Sequence, residues 1–158
     1  MNLRRPARLL LVCALAATGL AHAVEAGQRQ AWREQALAYE HGEGVARDTN
    51  AAIALYCRAA LAGDAVSAYN LGWLYANGRG TPRHDGYAAH WFARAALLGD
   101  TQAEAMFQRL GTPAEKPECV QQAERIEQQR TDQLAEQERL NAETQAVITR
   151  YRDWVNTP

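Results

Sequence analysis

Several things are scarce in this 158-residue chain, and each scarcity removes a class of function. Its longest apolar run, from Leu9 to Leu20, is about a dozen residues, short of the ~20 that a membrane-crossing helix needs. Cysteine occurs three times, never as C-x-x-C and never at a Cys/His metal spacing, so no metal site is expected. No His-Glu-x-x-His is present, and no histidine lies beside a plausible nucleophile. A Gly-x-Gly occurs in helix-turn context with no strand before it, which makes it a turn and not a phosphate cradle. Neither a cofactor nor a catalytic centre follows from these residues. His84-Asp85 could form an acid–base pair, but it falls in an inter-helix turn, where a structural role is the simpler reading. With only five prolines and plentiful Ala, Gln, Glu, Leu and Arg, the composition is that of an all-α protein.

The N-terminus reads as an export leader. Arg4, Arg5 and Arg8 precede the apolar run, and Ala21-His22-Ala23 closes it; basic, apolar and small-x-small segments in that order make a secretory signal peptide. Pro6-Ala7 follows the arginine pair where a twin-arginine leader carries an apolar residue. Cys13 follows Val12 inside the apolar run, which does not suit a lipoprotein site. Cleavage after Ala23 is therefore expected, leaving a periplasmic or secreted chain of 135 residues with no membrane span. Loss of three arginines takes the formal charge from −1 to −4. A mildly acidic product offers no basic surface to displace counterions from phosphates, so nucleic acid is not expected as a partner. In an oxidising compartment the two remaining cysteines, Cys57 and Cys119, are a candidate disulfide; free buried thiols and intermolecular pairing are the alternatives.

Internal repetition dominates the rest. Tyr39-x-x-Gly42-x-Gly44 returns as Tyr75-x-x-Gly78-x-Gly80, thirty-six residues on. At the same offset Ala52 returns as Ala88, Tyr56 as Phe92, Arg58-Ala59-Ala60 as Arg94-Ala95-Ala96, and Gly63-Asp64 as Gly99-Asp100. Ala31, Ser67 and Ala103 head successive units, the third incomplete. Each unit has the grammar of a helical hairpin. Apolar residues at Ala68, Leu71, Leu74 and Tyr75 share one helical face. Asp64 and Asp100 are placed to cap helix N-termini, Gly42, Gly63, Gly78 and Gly99 to end helices, and Asp48 and Asp85 to start the second helices. Gly72, in mid-helix, points to close approach of a neighbouring helix, with Tyr75, Trp91 and Phe92 filling the gaps between hairpins. Single hairpins cannot bury their apolar face and must stack. The predicted architecture is a right-handed α/α solenoid over 24–111, of two full hairpins and a partial third. A linker at 112–117 follows, then a helical extension over 118–158.

The run Ser67-x-x-x-Leu71-Gly72-x-x-Tyr75-x-x-Gly78-x-Gly80, with Ala88-x-x-Trp91-Phe92-x-x-Ala95-Ala96-x-x-Gly99, closely resembles the Sel-one-like repeat, a relative of the tetratricopeptide unit. The likeness covers roughly residues 31–110. Gln35-Ala36 replaces the Leu-Gly pair in the first unit, and His84 stands where the family usually has aspartate. The resemblance implies an adaptor that assembles larger complexes, and many bacterial members are exported to serve envelope polysaccharide, secretion or cell-wall systems. A protein or peptide partner in the cell envelope is therefore expected, with an accessory role beside a peptidoglycan enzyme as the alternative. A cysteine-rich group associated with penicillin binding carries a disulfide in every hairpin, a pattern this chain lacks.

In stacked hairpins the first helices line the concave face. Leu71, Gly72 and Tyr75 are assigned to packing, which leaves Asn70, Trp73 and Asn77, and their counterparts Glu34, Leu37 and His41, as candidate partner-binding positions. Trp73 is read first as core and second as a groove anchor. Glu34, Glu40 and Glu43 read as charges on an exposed helix. Residues 118–155 contain neither proline nor glycine, predicting one long helix or two broken near Asn141. Ile126, Leu140, Val147 and Trp154 follow a seven-residue register that is thin for a coiled coil. The end is richer: Val147, Ile148, Tyr151, Trp154 and Val155 form an apolar face too large to leave bare. It can pack back on the solenoid, form a homo-oligomer, or dock on a partner.

Overall fold

The computed structural model describes residues 6–112 and 115–156, with side chains from Ala23 onward. The apolar run expected to belong to a leader, and Cys13 within it, therefore lie outside the described side chains. Among the described residues there are six helices and no strand: α1 (Pro6–His41), α2 (Thr49–Leu61), α3 (Ala65–Asn77), α4 (Asp85–Leu97), α5 (Thr101–Leu110) and α6 (Glu118–Val155). None of the helices searched among the described residues is long and apolar enough to cross a membrane. The chain divides into two compact units, Met1–Pro117 and Glu118–Pro158.

In the first unit the helices pack in chain order, α1 on α2, α2 on α3, α3 on α4 and α4 on α5, as expected of stacked hairpins. The turns follow from the glycines and their flanking caps. Gly78 takes the left-handed conformation (φ +62°) and returns its N–H to Leu74, closing α3. Asp48, Asp64 and Asp100 each accept backbone N–H groups of the helix that follows: Ala51 at 3.0 Å, Ser67 at 2.7 Å, and Gln102 and Ala103 at 2.9 Å. At α4 the expectation is corrected: the cap is His84, whose Nδ1 accepts the Tyr87 N–H at 3.1 Å, while Asp85 is already the first helical residue. The His84 ring also stacks on Tyr87, with centroids 3.7 Å apart. Arg83 donates to both carboxylate oxygens of Asp85, at 2.8 and 3.1 Å, and these hydrogen bonds hold that carboxyl below its ordinary range. The pair weighed as acid and base is thus engaged in starting a helix.

Small residues let the layers close. A Cβ on Gly72 would lie 2.7 Å from the Phe92 ring, and one on Gly80 would lie 2.2 Å from Thr49 Oγ1. The first contact joins the two helices of the second hairpin; the second seats that hairpin's turn on the start of α2. Ala52, Ala59, Ala60, Ala88 and Ala95 are fully buried, and Trp91, Tyr56, Phe92 and Leu71 fill the space between them. Arg94 reaches back to the open C-terminal carbonyls of α2, donating to Ala60 O and Leu61 O at 2.9 Å each. Its counterpart Arg58 lies over the Trp32 ring, 4.2 Å from the centroid. Arg33 pairs with the capping carboxylate of Asp64, tying α1 to the start of α3.

In the second unit α6 is a single helix with no break at Asn141. Val120 is buried near its start, and every residue from Glu124 to Asn156 is exposed.

Candidate functional site

The first unit carries a concavity of about 220 Å³ lined by Leu37, Glu40 and His41 of α1, by Asn70, Trp73 and Leu74 of α3, and by Arg79 of the turn after α3. First helices of consecutive hairpins therefore form its two walls. Four of the six candidate positions, Leu37, His41, Asn70 and Trp73, meet there. Glu34 and Asn77 do not line it: both are exposed, and the Asn77 amide donates to the Trp73 carbonyl at 3.0 Å.

Trp73 is corrected from core to wall. It keeps 38% of its surface accessible. One side of the indole is held edge-on by Tyr69 and Phe92, with centroids 6.3 and 6.2 Å away. Because Gly72 admits the Phe92 ring against α3, that ring backs both the glycine and the indole. The indole is therefore fixed from behind and open in front.

Glu40 is corrected from surface to interior. Only 8% of it is accessible, and its Oε2 accepts the Tyr56 hydroxyl at 2.9 Å. Arg79 Nη2 lies 3.7 Å from the other oxygen, with its own side chain half exposed. Burial, then the hydrogen bond and negative charge of Glu40, push the Tyr56 phenol well above its ordinary value; Asn70 and Arg79 act the other way. The floor of the concavity is thus an anchored carboxylate, with the half-exposed Arg79 guanidinium beside it. Neither residue stood out in the sequence. Glu40 sits among other acids, and Arg79 occupies the variable place of a Gly-x-Gly turn. The available signal was positional, since Glu40 falls three residues past Leu37 and shares its face.

The remaining candidates lie elsewhere. Cys57 and Cys119 are each disulfide-bonded. Val147, Ile148, Tyr151 and Trp154 are 43–74% exposed along α6.

Fold and site together define a class: an α-solenoid of helical hairpins with a groove between its first helices. Within that class the chain carries two segments that match the Sel1 repeat. The matches cover residues 35–64 and 65–100; the second opens with α3 at Ala65, and the first begins within α1. The chain is similar to a Sel1 repeat protein from Oxalobacter formigenes known from a crystal structure, with 27% identity and a TM-score of 0.50 over 64% of this chain and 80% of that one. No curated protein matches it. Sel1 repeats imply a scaffold for protein–protein interaction.

Proposed function

We propose that this protein is an exported adaptor that holds a peptide or protein segment in the α1/α3 groove, as part of a cell-envelope complex, and that it binds its partner without chemical turnover. The observation that carries the reading is Trp73, braced by Tyr69 and Phe92 and open toward a groove whose floor is polar. A rigid aromatic loses little conformational freedom on binding, and residues of this kind dominate interface energetics. Asn70, His41 and Arg79 offer directional polar contacts around it. Export is supported by the leader-like N-terminus, and disulfide-bonded cysteines suit an oxidising compartment.

A photo-reactive residue in place of Trp73 tests the groove, with the same residue at exposed Ala54 of α2 as control. Crosslinking from position 73 alone is expected in envelope extracts; equal yields from both positions would refute the groove. N-terminal sequencing of the chain expressed with its leader tests export. The expected start is Val24, and an intact Met1 would refute processing. An accessory role at a cell-wall enzyme remains the second reading. Sedimentation with purified peptidoglycan separates the two, because a peptide adaptor stays in the supernatant.

A further inference from the structure

Along α6 the side chains of Leu134, Leu140, Val147, Ile148, Tyr151 and Trp154 are 43–74% exposed and share one stripe of the helix surface. From Leu140 onward the positions on that stripe, Asn141, Thr144, Val147, Ile148, Tyr151, Trp154 and Val155, are uncharged. Most of a helix's stability in a protein comes from packing its apolar face, and an apolar stripe of this extent calls for a partner surface.

Charge placement selects the partner. In heptad terms Tyr151, Thr144 and Gln137 take one seam position, and Trp154, Val147 and Leu140 the other. Glu143 and Arg150 then fall on the same flank, one heptad apart. In an antiparallel pair these flanking positions face their own kind. With the crossing centred between Gln145 and Ala146, Glu143 meets the second copy's Arg150, and Arg150 meets the second copy's Glu143. The same register sets Tyr151 on the second copy's Leu140 and Val155 on the second copy's Leu134. A parallel pair has no such match: it places Arg130 against Arg130 in the seam and leaves Glu143 facing the second copy's Ile148. Parallel packing also lays the acidic front of the helix, five acids and two arginines over 118–137, against itself.

The geometry points to an antiparallel homodimer formed by residues 134–155 of α6, an overlap of about 30 Å, with two reciprocal Glu143–Arg150 ion pairs setting its direction. This surface is separate from the groove and needs no occupant there. Multi-angle light scattering and sedimentation on the full chain, from about 1 to 100 μM, test it together with charge reversal. Glu143→Arg and Arg150→Glu alone are each expected to raise the dimer Kd about tenfold, because each turns two attractions into two repulsions. The double reversal is expected to restore the wild-type Kd. A Leu140→Cys chain treated with a short bis-maleimide should not crosslink to itself, but should crosslink to Tyr151→Cys when the two are mixed. A monomer throughout the range overturns the proposal, whether the stripe is then covered by the chain's own repeats or by a different protein. Self-crosslinking at position 140, or a dimer indifferent to both reversals, overturns it as well.

Discussion

A carboxylate removed from water needs partners, and at Glu40 they come from two different elements: the Tyr56 hydroxyl of α2 and the more distant Arg79 guanidinium. Removing the hydroxyl by Tyr56→Phe leaves Glu40 buried with one poor partner. The expected loss in urea denaturation is about 1.5–3 kcal/mol, the range for hydrogen bonds to charged groups. Tyr56 also gives the protein an alkaline limit. Its folded-state pKa lies above the unfolded value of 10.0, so the folded chain holds that proton more tightly. This contribution to stability is complete below pH 10 and declines as pH rises past it. The melting temperature of the wild type should fall more steeply above pH 10 than that of Tyr56→Phe; parallel profiles would contradict the assignment. Glu40 was not legible as a floor residue, because an acid among acids on a helix looks solvated until the neighbouring helix is placed over it.

At the scale of elements, the glycines and alanines carried most of the information. The thirty-six-residue offset located both Gly-x-Gly turns and the Asp64 and Asp100 caps, and Gly72 marked the small face of α3. Gly72 is the sharpest case, since its Cα faces the Phe92 ring with no room for a methyl group. Gly72→Ala gains about 1 kcal/mol of helix propensity but forces an aromatic wedge to move, at a cost of about 1–3 kcal/mol. A net loss of about 1 kcal/mol is expected, together with a change in near-ultraviolet circular dichroism as Trp73 and Phe92 shift. An increase in melting temperature would show that the ring yields freely. The cap of α4 was misread because aspartate is the stronger N-cap by type. The local chain instead presents His84 at the non-helical position, and Arg83 engages Asp85. For α6, the absence of Pro and Gly made a long helix legible but left open a break near Asn141, where the helix in fact runs through.

For the molecule as a whole, the fold could be read from sequence because stacking hairpins impose a period. The site could be read only in part. Leu37, His41, Asn70 and Trp73 were found by repeat equivalence, whereas Glu34 and Asn77 share their register but fall beyond the groove. A repeat predicts which helical face looks inward, and it does not predict how far along the helix the concavity extends. The groove's lining is also unequal between hairpins: Trp73 occupies in the second the place that Leu37 holds in the first. That asymmetry predicts that binding energy concentrates at one end, so Leu37→Ala should weaken a ligand less than Trp73→Ala does.

The most direct test is to select peptides from a displayed library on the full chain and measure their affinity for wild type and Trp73→Ala by calorimetry. Thermal melts of the two proteins, run alongside, establish that both are folded. The groove account predicts a Kd about 30-fold weaker for the variant, the loss of about 2 kcal/mol that a binding hot spot carries, with little change in melting temperature. Selected peptides that bind both proteins equally would contradict it.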